Sequence, residues 1–185
     1  MTRTTVTWLL PLLLLNASLL RAQESSSAYH FLKDLEVFSG SWEGTTELPA
    51  DTPESERLGQ VGGKQVKLLE TCRWAPGKCA QISEISYMID GSETILGTTL
   101  IGWDQKSEQI TMKEFTTHKG VWSGTIEKDG GKWVFAFEGY NLDGKKCTGK
   151  RVVTFTDADH YTSIETDRTQ DGEPLPDATW HFRRL

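Results

Sequence analysis

Four histidines, an adjacent acid–base pair and three cysteines are the side chains of this 185-residue chain with the most obvious chemistry. His160 follows Asp157 and Asp159, a spacing that would suit a divalent cation if all three converged. The same residues fill a short polar interval between two strand-like runs, where Asp is expected because its carboxylate bonds turn amides. The turn is the preferred reading. His181 stands between Trp180 and Phe182 and, on a strand, would face the side opposite to both. Asp167 and Arg168 are neighbours, so a strand would turn one inward and the other to solvent. An inward charge needs a partner, which Glu165 or Asp167 with Arg151 or Arg168 could supply. Arg168 is therefore read as structural first and ligand-anchoring second.

The chain has no metalloprotease helix, phosphate loop, nucleophile elbow or paired CxxC knuckles. No catalytic residue, no metal and no cofactor is assigned. Cys72 and Cys79 lie on the two arms of one expected hairpin. If its loop is the four residues 74–77 they face each other and can bridge; if the turn is Pro76-Gly77 alone, Cys72 is two positions out of register. The bridge is the expectation for an exported protein, which leaves Cys147 as a buried hydrophobe or a free thiol.

Export is read from the N-terminus. Arg3 precedes an apolar run from Trp8 to Leu20, and Ala22 is a small residue at a plausible cleavage point, although Leu20 stands where a second small residue is usual. The run is shorter than the ~20 residues of a membrane span. The expected organisation is a signal peptide over 1–22, a polar linker over 23–27 and one domain over 28–185, periplasmic or secreted. Loss of Arg3 and Arg21 with the signal would leave a charge two units more negative than the −6 of the whole chain. That balance argues against nucleic acid, and against a membrane surface once the signal is removed.

The elements that must position these residues are short strands. From Leu100 to Gly144 the chain alternates strand-like runs with tight polar turns such as Gln105-Lys106-Ser107 and Asp129-Gly130-Gly131, the pattern of an up-and-down meander. Further strands are expected at about 40–48, 64–74, 79–90, 94–103, 145–156, 160–168 and 178–184. Phe31, Leu32, Leu35 and Phe38 recur at helical spacing and predict a short amphipathic helix that closes one end of a barrel. Residues 49–63, rich in Pro, Glu, Ser and Gly, read as a long exposed loop. The fold expectation is an all-β, up-and-down antiparallel barrel of about ten strands with a short N-terminal helix. Trp133, Phe135 and Phe137 share one face of their strand, and an apolar interior in such a barrel either packs solid or holds one small ligand.

Gly102-Trp103-Asp104, Gly120-Val121-Trp122-Ser123-Gly124, Asp129-Gly130-Gly131-Lys132-Trp133, Gly139 with Asp143-Gly144, and Asp167-Arg168 through Asp171-Gly172-Glu173-Pro174-Leu175-Pro176 carry a resemblance. In order and spacing they resemble an uncharacterised lipocalin-like, calycin-type domain of exported bacterial proteins. Gly40-Ser41-Trp42-Glu43-Gly44 is similar to the first-strand motif of several calycin barrels, including the haem-binding nitrobindins. The first resemblance implies the barrel and assigns no reaction. The second implies haem ligation by a late histidine, His160 or His181. The leading functional expectation is non-catalytic binding of a small apolar ligand, with Trp133, Phe135, Phe137 and Arg168 as its contacts. The alternatives are a haem-binding or enzymatic barrel using His160 or His181, and a packed structural module that works through the 49–63 loop.

Overall fold

The computed structural model describes residues 27–47, 65–89, 91–117, 120–141 and 143–185. The stretch read as an export signal, most of the linker, the 49–63 loop and His118 lie outside the described residues.

The chain enters through α1 (Tyr29–Leu32), which tightens at once into a 3-10 helix, Lys33–Phe38. Leu32, Leu35 and Phe38 are all buried, and they are spaced by three. A 3-10 helix has three residues per turn, so this spacing stacks the three side chains on one line, which a 3.6-residue turn would not do. Phe31, expected on the same buried stripe, is instead 44% exposed and stacks flat on Trp103 with ring centroids 4.1 Å apart.

Ten strands then run antiparallel: β1 (Gly40–Glu47), β2 (Gln65–Trp74), β3 (Ala80–Ile89), β4 (Ser92–Asp104), β5 (Gln109–Thr116), β6 (Val121–Asp129), β7 (Lys132–Tyr140), β8 (Lys146–Phe155), β9 (His160–Gln170) and, after the two-residue β10 (Glu173–Pro174), β11 (Ala178–Arg184). Each pairs with its neighbour in sequence, β9 pairs with both β8 and β11, and β11 returns to β1. The sheet therefore closes into a barrel with no free edge along its main strands.

One register shift controls what faces inward. Thr148 of β8 pairs with Thr169 and Lys150 with Thr166, so two residues of β9 stand opposite one of β8. Asp167 takes a left-handed backbone, φ 52°, at this bulge. The inward phase of β9 runs through Tyr161, Ser163 and Glu165 and then changes, so that Arg168 rather than Asp167 is buried. The extra residue moves the strand by half its two-residue period. Asp167 is left outside, 3.0 Å from Lys150.

The helical segment closes one end of the barrel. Phe38 meets Trp133, Phe155 and Tyr161 edge-on at 5.3–6.1 Å between centroids. Trp42, at the start of β1, donates from Nε1 to the Phe38 carbonyl at 2.8 Å, and the Arg184 guanidinium covers its ring at 4.1 Å. Gln81 of β3 donates to the Leu35 carbonyl at 3.0 Å. These bonds satisfy carbonyls of the plug that a buried helix end would otherwise leave without partners.

The expected bridge between Cys72 and Cys79 is not formed, and all three cysteines are free. The register puts Ser83 opposite Cys72, while Cys79 sits exposed in the turn, where its thiol donates to the Pro76 carbonyl. Pro76–Lys78 forms a 3-10 turn within the connection, so the loop is longer than either hairpin geometry considered for the pair.

Candidate functional site: an open barrel interior

Eight strands give an interior that side chains fill or that holds one small ligand, and barrel diameter grows with strand number. Ten strands with a plug at one end leave room at the other. A cavity of about 480 Å³ fills that space, within the range of small-molecule sites. Its mouth is formed by the β7–β8 turn, including Asp143 and Lys145, and by the segment Leu175–Asp177 that leads into β11. Asp143, Lys145 and Asp177 are exposed, so the cavity opens to solvent here.

Aromatic rings shape the wall where strands lack side chains. The Trp122 indole lies over Gly139, and the Phe137 ring lies over Gly149, each close enough that a methyl on the glycine would meet ring carbons at 2.5–2.8 Å. With glycine beneath them the two rings lie against the sheet, 5.9 Å apart, instead of standing up into the lumen.

The expected contact residues divide along the barrel axis. Successive inward residues of a strand are about 6.8 Å apart, twice the rise per residue. Phe135 and Phe137 line the cavity. Trp133, expected to join them, reaches the plug instead, with Phe38 on one side and the Lys128 ammonium 5.3 Å from its ring. Arg168 lines the cavity, but its Nε lies 3.4 Å from Glu165 and its Nη1 donates to the Pro176 carbonyl at 2.8 Å. The Leu175 amide donates back to the Arg168 carbonyl. Arg168 thus ties the mouth segment to β9.

Both histidines singled out above face away from the cavity. His160 is exposed beside Asp157, whose oxygens lie 3.0 and 3.2 Å from Nδ1. Asp157 also accepts from the Asp159 amide at 2.8 Å, the turn geometry the sequence suggested. That amide, with His160, holds its carboxyl below the usual carboxylate range. His181 lies on the outer wall, 3.3 Å from the Thr162 hydroxyl. Among the described residues, no three of His, Cys, Asp and Glu come together as a cation site.

The polar groups that do face inward form a layer between cavity and plug. Glu70, only 7% exposed, accepts from Ser83 at 2.6 Å and from Tyr161 at 3.2 Å, with the Cys72 thiol at 3.6 Å. Burial, and then the Glu70 charge, push both the Tyr161 phenol and the Cys72 thiol above their ordinary pKa values. Arg151 lies deep in the barrel, its guanidinium 4.5 Å from the Phe135 centroid, and lines both the cavity and a second pocket of about 20 Å³ beneath it. Burial works against its charge, but Glu70, Tyr161, Glu165 and Glu114 outweigh that and raise its pKa. The lower pocket, flanked by Gln81, Ser83 and Tyr161, has room for a single water.

Glu70, Glu114 and Ser163 were not singled out from the sequence as site residues. The usable signal was phase: Glu70 alternates in step with Val66 and Leu68, and Glu114 with Ile110 and Met112. A charged residue on the apolar phase of a strand marks an interior polar group.

No family model and no curated protein matches the chain. Among solved structures it is similar to the crystal structure of Rv2717c from M. tuberculosis, at 13% sequence identity and a TM-score of 0.57, over 88% of this chain and 99% of that one. This likeness is one of fold.

Proposed function

We propose that the protein is a non-catalytic carrier that holds one small, largely apolar molecule inside a lipocalin-like, calycin-type barrel, and that it acts after export. The observation that carries this reading is the one-ended cavity of about 480 Å³, whose wall includes Leu68, Tyr87, Leu96, Phe135, Phe137 and Trp180. Burying apolar ligand surface there is favourable at about 25 cal/mol per Å², and a preformed cavity spares the cost of ordering its walls. The calycin placement rests on the helical plug, the buried first-strand Trp42 and the antiparallel closure of β11 on β1. Export rests on the Arg3-to-Ala22 pattern alone.

Native mass spectrometry of the protein from its own host, beside a denatured run, tests the reading. A mass excess that vanishes on denaturation is expected. Binding of a neutral fluorescent dye, N-phenylnaphthylamine, supplies a second readout, and Leu96→Trp, which adds an indole to the cavity wall, should abolish it. Neither mass excess nor dye binding in the wild type would overturn the proposal.

A further inference from the structure

Two polar side chains at the cavity wall make no hydrogen bond to any described residue. Arg151 has five donors, yet no hydrogen bond or ion pair joins its guanidinium to any described residue; its one close partner is the face of Phe135. Ser163 Oγ is buried, in a residue 1% exposed, and has no hydrogen-bond partner. The two belong to paired strands. Val153 is directly opposite Ser163 and Arg151 opposite Glu165, which makes Arg151 and Ser163 diagonal neighbours on the same inward face. The Ser163 hydroxyl is a buried, unsatisfied donor and therefore unfavourable; Arg151 is half-buried, with donors left to the cavity that both residues line.

The charge around them decides what could satisfy them. Arg151 and Arg168 face three inward carboxylates, Glu70, Glu114 and Glu165. Glu70 is engaged by Ser83 and Tyr161, and Glu165 by Arg168. These carboxylates favour the Arg151 charge through space while leaving its donors unused. Among the described inward residues, three carboxylates stand against two guanidinium groups. An anionic head would add a further negative charge beside them, whereas an uncharged carbonyl brings two lone pairs and no charge.

We infer that the ligand is an apolar molecule with an uncharged carbonyl head, such as an ester, ketone or amide, whose oxygen accepts from Arg151 and Ser163. This rests on the carrier reading above and adds the chemical class of the cargo. The apolar body lies against Phe137 toward the mouth, and the head lies inward at the level where Trp180 pairs with Ser163.

The test displaces N-phenylnaphthylamine from the full-length mature protein with methyl decanoate, decanoate at about pH 8, and decane. Methyl decanoate should displace the dye at a concentration at least about tenfold below that needed for decanoate. Ser163→Ala removes an unpartnered hydroxyl, so the fold should tolerate it; Arg151→Leu is the stronger perturbation. Each should weaken the ester by about tenfold, equivalent to about 1.4 kcal/mol, and leave decane unchanged. Decanoate binding as well as the ester, or variants that weaken ester and decane alike, would overturn the inference while the carrier reading stands. Failure of the wild type to bind the dye or any of the three would overturn both.

Discussion

Substituting Glu70 by Gln tests whether the polar layer is held by charge or only by shape. The side chain keeps its size, so packing against Leu68 and Cys72 is preserved. Ser83 donates to one carboxylate oxygen at 2.6 Å and Tyr161 to the other at 3.2 Å. Hydrogen bonds to a charged group contribute about 1.5–3 kcal/mol each and neutral ones about 0.5–1.5, so two weakened bonds lose roughly 2 kcal/mol. The amide nitrogen also opposes the Tyr161 hydroxyl with a second donor. Arg151, meanwhile, loses the foremost of the carboxylates that offset its burial; no ion pair joins the two, so this through-space loss is on the order of 1 kcal/mol. A total near 3 kcal/mol is expected, seen in urea denaturation as a lower midpoint with an unchanged slope. At about 2–4 °C per kcal/mol for a chain of this size, the thermal midpoint should fall by about 6–12 °C. Arg151→Leu alone should be comparably destabilising. The double variant Glu70→Gln/Arg151→Leu should fall short of the sum by at least about 1 kcal/mol, because each substitution removes the reason the other was harmful. A loss under about 1 kcal/mol for Glu70→Gln, or strict additivity of the pair, would refute the argument that Glu70 compensates Arg151.

Gly149→Ala should force the Phe137 ring off the wall, destabilising the protein by about 1–3 kcal/mol and weakening dye binding; an unchanged affinity would show that the ring does not limit the lumen. With three free cysteines of which only Cys79 is exposed, a thiol reagent should label one site quickly in the folded, non-reduced protein. Cys72 and Cys147 should follow only on unfolding, and absence of the fast site would restore the disulfide reading. Because the folded Tyr161 phenol titrates above its ordinary value, its contribution is fully present below about pH 10 and is lost as pH rises through the folded value. The stability advantage of wild type over Tyr161→Phe should therefore shrink between about pH 10 and 12, and an advantage that grows with pH would contradict the buried environment.

The strand pattern was legible almost to the residue. β7 and β11 occupy the spans expected, Lys132–Tyr140 and Ala178–Arg184, because period-two alternation and Gly- or Asp-rich turns are local properties of the chain. The plug was legible as a helix but not as a 3-10 helix, although the spacing of Leu32, Leu35 and Phe38 held that information. Of the expected ligand contacts, Phe135, Phe137 and Arg168 line the cavity and Trp133 does not. Alternation tells which face a residue takes, and not how far along the barrel axis it lies from the plug. His160 and His181 face outward for reasons already present in their strand phase, opposite Tyr161 and between Trp180 and Phe182.

What only the tertiary structure decided is the interior. The bulge at Asp167 moves Arg168 inward, and it exists because β8 and β9 pair out of step, a relation between segments that neither strand encodes alone. The juxtaposition of Glu70 on β2, Arg151 on β8 and Tyr161 on β9 likewise follows from closing the sheet on itself. The sequence by itself determined a ten-strand barrel with an apolar phase and a helical end, since those depend on neighbours in the chain. Whether that barrel is hollow, and which charges line the hollow, depends on strand number, register and where the plug stops, and these are set only when distant strands meet.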